Sequence, residues 1–165
     1  MFILNKLNLS IIFLFIVLLI QKLTLESSTT ANATLTYSVN TISVVDISAS
    51  PGPLDVTTAV PGQQPDMAID STTTYSISSN MNGQRITGRV NPGIPPDIHL
   101  CVTLTPPSGA TSAGLVELTT SDQDLVTGID CVSATNLPIS YGICPTTSAM
   151  PQGPTNVVVT YTIGP

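Results

Sequence analysis

Downstream of residue 34 the apolar residues fall at every second position, in short runs cut off by proline, glycine, asparagine or aspartate. A period of two puts successive side chains on opposite faces of an extended chain, so this pattern commits the segment to half-buried strands joined by turns. Leu35, Tyr37 and Val39 alternate, Ile42 and Val44 continue, and Val45 and Ile47 follow shifted by one, as across a bulge. Pro51-Gly52-Pro53 breaks the chain, and a short 54–56 piece, the Pro61-Gly62 turn and a 67–69 strand come next. Tyr75 and Ile77 lead into Asn82-Gly83, and Ile86, Gly88 and Val90 leave it. Asn-Gly favours the positive φ angles of a type I′ turn, which predicts a hairpin at this point.

The cleanest alternation is Ile98, Leu100, Val102 and Leu104, stopped by Pro106-Pro107. Segments 115–118, 125–129 and 137–143 follow, and the last strand is 156–163 (NVVVTYTI), with Val157, Val159, Tyr161 and Ile163 on one face. No segment joins a 3.6-residue period to helix caps. Seven to nine short strands at this spacing predict an all-β, antiparallel, two-sheet immunoglobulin-like β-sandwich, a single domain over 34–165. With no Trp in the chain, the antibody-type Cys–Trp–Cys core is excluded. Its interior has to be built from Val, Ile, Leu and the bodies of Tyr37, Tyr75, Tyr141 and Tyr161, their hydroxyls reaching the rim.

Ahead of this domain, Lys6 precedes an unbroken apolar run at 11–20 (IIFLFIVLLI), the basic and apolar parts of a signal peptide over 1–33. The run is shorter than the roughly twenty residues that span a bilayer. Ala31-Asn32-Ala33 supplies an A-x-A cleavage signature and sets the expected mature start at Thr34. The alternative is an uncleaved signal anchor, which would give the chain its one membrane contact. Either way the chain is expected to be secreted or held at the cell surface.

Cleavage leaves 132 residues with two arginines, Arg85 and Arg89, against nine carboxylates, a side-chain charge of −7. Phosphate backbones require clustered Lys and Arg, so nucleic acid is not an expected partner. Three cysteines in an exported chain argue one disulfide and a remainder. Cys131 and Cys144, flanking the 137–143 run, are the expected pair. Cys101 alternates with an apolar set and should face away from the core, as a free thiol, an intermolecular bridge or half of a different pair. Zinc is not expected, because no C-x-x-C or Cys/His cluster exists. His99 is the single histidine, and any Ser-His-Asp or Cys-His chemistry has to use it, with Cys101 on the same strand face. No nucleophile elbow or papain-like context accompanies it, so no catalytic residue is assigned. Asp122, Asp124 and Asp130 with Gly128 offer oxygen ligands, but the EF-hand order lacks its third ligand, its glycine and its terminal Glu. No cofactor or metal site is expected.

Five stretches are similar to those of small exported bacterial proteins with Ser/Thr-rich β domains: 70–80 (DSTTTYSISSN), 86–88 (ITG), 107–114 (PSGATSAG), 124–129 (DLVTGI) and 157–163 (VVVTYTI). That resemblance implies a β-rich exported module and carries no functional residues with it. The chain also resembles pilin and fibre subunits in its alternating terminal strands, while lacking their early disulfide. The expected function is a non-enzymatic secreted or cell-surface structural or adhesive module with an unidentified protein or surface partner. The alternative is a homo-oligomer, a self-assembling fibre subunit built by strand addition; a secreted hydrolase using His99 is the third reading.

Overall fold

The computed structural model describes residues 30–165. The 11–20 run and the signal helix expected on it lie outside the described residues. Contacts divide the chain into a unit ending at Ser38 and a second unit, Val39–Pro165. Every residue from 30 to 42 is exposed, and the first strand begins only at Ser43.

The second unit holds ten strands: β1 (Ser43–Ile47), β2 (Ala68–Asp70), β3 (Thr74–Ser79), β4 (Gln84–Asn91), β5 (Ile98–Leu104), β6 (Thr111–Ser112), β7 (Val116–Glu117), β8 (Gln123–Ile129), β9 (Val132–Pro145) and β10 (Val158–Gly164). They form two antiparallel sheets. In one the order is β1-β3-β9-β5-β7, with β2 also on β9; in the other it is β10-β4-β8-β6. The described unit is therefore all-β and consistent with a sandwich.

β9 organises the first sheet. Its first half pairs with β3, from Val132 opposite Ser79 to Pro138 opposite Thr74, and its second half pairs with β5, from Ile139 opposite Leu104 to Pro145 opposite Ile98. β2 takes the remaining edge of that second half. The strand is longer than the 137–143 segment read from alternation. Asn136, at φ 56°, absorbs a bulge where the register with β3 shifts between Tyr75 and Ile77. Asparagine tolerates this left-handed conformation, so the polar 133–136 stretch continues the strand rather than ending it.

Other expectations change in detail. The segment at 54–56 forms no strand, and Asn82-Gly83 joins no hairpin, because β3 and β4 belong to different sheets. Gly83 has φ 67°, but Asn82 is not at positive φ, so the link is a sheet-to-sheet crossing. Asp130 Oδ1 fixes it by accepting from the Gly83 N–H at 2.6 Å. β1 also runs without a bulge: Val45 and Ile47 turn inward while Val44 stays exposed.

The core lies between the sheets. Tyr75, Ile77, Leu100, Val102, Leu104, Ile139 and Tyr141 come from the first, and Ile86, Val90, Leu125, Val126 and Ile129 from the second. Tyr75 is fully buried and its hydroxyl donates to the Thr105 carbonyl at 2.6 Å. The Tyr161 hydroxyl donates to that of Tyr141 at 2.8 Å, a polar link from one sheet to the other. These three tyrosines do what a Phe- and Trp-free interior requires, filling volume while their hydroxyls find partners. Tyr37 does not join them; it is exposed.

Candidate functional site

Two places on the described chain concentrate chemical or binding potential. The first is the outward face of β5. Leu100, Val102 and Leu104 turn into the core, so the two-residue period turns His99, Cys101 and Thr103 outward. Across the ladder Cys144 lies opposite His99 and Gly142 opposite Cys101, with Glu117 of β7 on the other side of Cys101. His99 Nδ1 and Glu117 Oε1 stand 2.6 Å apart. Burial pushes the Cys101 thiol pKa up, and the nearby Cys144 and Glu117 raise it further. A thiol held protonated is a weak nucleophile, which is the opposite of the thiolate a cysteine enzyme prepares.

The fold does not bring Cys131 and Cys144 together. They stand at the two ends of β9, and a strand of that length, rising ~3.3 Å per residue, puts roughly 40 Å between them. A disulfide spans at most about 7 Å between Cα atoms. The expected pairing treated the intervening run as a loop closed by its ends, whereas an extended strand separates its ends as far as a chain can. Cys131 sits at φ 36° with its thiol 3.1 Å from Asn82 Oδ1.

The carboxylates are also dispersed. Asp124 faces Arg85 at 3.5 Å and Asp122 faces Arg89 at 3.8 Å, both half-exposed pairs, while Asp130 serves Gly83. Among the described residues no three His, Cys, Asp or Glu side chains converge as a metal site.

The second place is an edge. β1 and β10 are terminal strands of their sheets and approach one another there. A groove of ≈ 880 Å³ runs along this edge, lined among others by Leu54, Leu100, Tyr141, Ile143, Val157 and Val159. Ahead of β1, the Asn80 side chain holds the incoming chain: its amide donates to the Asn40 carbonyl at 2.8 Å and its Oδ1 accepts from the Ile42 N–H at 2.8 Å. N-terminal to that clamp Leu35, Tyr37 and Val39 are 84, 84 and 77% exposed. Alternation in the sequence marked this arm as a strand, whereas none is assigned to it among the described residues. The groove was not legible in the sequence, since it depends on how the 49–54 loop crosses the sheet edge.

No family model matches the chain, and the searches of curated proteins and of solved structures gave no match.

Proposed function

We propose that this protein is a non-enzymatic structural module working outside the cytoplasm, an immunoglobulin-like sandwich that joins copies of itself by strand addition. The arm at 34–41 of one copy adds to the free edge of β10 in a second. The observation that carries this reading is the exposure of Leu35, Tyr37 and Val39, three large apolar side chains at alternate positions of a segment to which no strand is assigned among the described residues. Alternating apolar side chains with unpaired backbone are what an added strand supplies, the backbone giving affinity and the side chains register.

The acceptor matches in length and chemistry. The arm has eight residues and β10 has seven, and neither holds a charged side chain. Edge strands are ordinarily blunted by lysine, proline or inward charges, and β10 carries none of these. The adjoining apolar groove gives inward-pointing arm residues a surface to cover. Export is supported by the apolar run and A-x-A signature at the N-terminus.

Deletion of residues 34–40 should leave a folded protein that is monomeric by light scattering at every concentration, while the intact protein forms oligomers as concentration rises. An intact protein that stays monomeric over a wide range would remove assembly and leave a solitary surface module. Turnover of ester, peptide or glycoside substrates that vanished in His99→Ala would remove the non-enzymatic reading.

A further inference from the structure

We propose that Cys101 and Cys144 form a cross-strand disulfide, a redox-controlled staple between β5 and β9 on the outward face of the first sheet. The register places Cys144 two residues beyond Gly142, the direct partner of Cys101, so the two cysteines are diagonal neighbours on one face. Diagonal Cα atoms stand ~7–8 Å apart in such a ladder with their Cβ atoms closer, and a disulfide needs about 4.4–6.8 Å, so a small closing movement joins them. Cys144 lies near enough to Cys101 to help raise its thiol pKa. Gly142 makes room for the Met67 side chain, whose Sδ would stand 2.9 Å from a Cβ at that position. Both cysteines are part-exposed and so accessible to exchange, whereas Cys131 sits at the far end of β9 and does not compete within the monomer.

The oxidant is a small disulfide of the glutathione type. The Cys144 thiol loses its proton, and its sulfur attacks one sulfur of that disulfide, breaking the S–S bond and expelling one small thiolate. Cys101 then gives up its proton and displaces the second small thiolate. Two protein thiols and one small disulfide become one protein disulfide and two small thiols. The bond closes the chain between residues 101 and 144 and should raise the thermal midpoint by about 10 °C. It does not depend on self-assembly and is tested apart from it.

The protein carrying Cys131→Ser should be equilibrated in its folded state with glutathione disulfide, quenched with N-ethylmaleimide and weighed intact. The staple predicts no maleimide and no retained glutathione, two maleimides after reduction, and a peptide map joining Cys101 to Cys144. Adding Cys101→Ser should convert the product to a stable glutathione adduct on Cys144. Two maleimides, two glutathiones or a disulfide-linked dimer in the Cys131→Ser protein would overturn the proposal, as would identical thermal midpoints for its oxidised and reduced forms.

Discussion

The N-terminal arm and β10 are written in nearly the same sequence language and meet opposite ends. Each alternates apolar with Ser, Thr or Asn, and each lacks charge. β10 pairs with β4 over seven consecutive residues, Val158 opposite Asn91 to Gly164 opposite Arg85, and packs Val159, Tyr161 and Ile163 on the core. No strand is assigned to the arm among the described residues. The difference lies in the surroundings rather than in propensity. No glycine or proline lies within 34–47, so the sequence offers no Gly or Pro turn between the arm and β1. Strand-forming pattern is thus necessary for a strand, but an edge in reach decides whether one forms.

The largest contrast is expected from matched tyrosine truncations. Tyr161→Ala removes a core-packed ring and its bond to Tyr141, and should cost about 3 kcal/mol in chemical denaturation. Tyr37→Ala removes an exposed ring and should stay within about 0.5 kcal/mol of the parent. Equal losses at the two positions would break the comparison, since the arm would then be packed in the monomer.

The fit of β10's neighbour gives a somewhat smaller effect. Gly88 of β4 lies opposite Tyr161, and a Cβ there would stand 2.7 Å from Leu125 Cδ1 and 3.2 Å from Leu118 Cδ2. Both leucines are buried and have little room to move. Gly88→Ala should therefore destabilise by about 1–3 kcal/mol. An unchanged denaturation midpoint would show that this seam is loosely packed.

Most of the strand inventory was legible in the sequence because alternation is local, and β5, β8 and β10 fall close to where Ile98, Leu125 and Val157 mark them. Pairing was less legible. Asn82-Gly83 has hairpin chemistry, yet its flanking strands go to opposite sheets, and the Asn136 bulge that lengthens β9 follows from register with β3 rather than from composition. The same strand length separates Cys131 from Cys144, so the cysteine question also turned on long-range geometry that spacing does not encode. Only the strand register reveals that Cys144 sits beside Cys101.

A gentler test of the core comes from alkaline pH. Burial pushes the Tyr75 hydroxyl up to about 12, and burial also raises Tyr141 and Tyr161. A tyrosine with a raised folded pKa favours the neutral phenol in the fold. Its contribution is fully present below the free-tyrosine value of about 10 and is lost as pH rises from there. The thermal midpoint should hold up to about pH 10 and then fall, for Tyr75 through pH 12 or so, more gradually in Tyr75→Phe.

The central claim is that the arm is an unpaired strand in one copy and a paired one between copies. Amide hydrogen exchange across residues 34–41, followed from dilute to concentrated protein, reads this directly. The account predicts unprotected arm amides in dilute solution, and alternate-residue protection that grows with concentration together with new protection on β10. Arm amides that exchange freely at every concentration, or that are already protected in the dilute monomer, would contradict it.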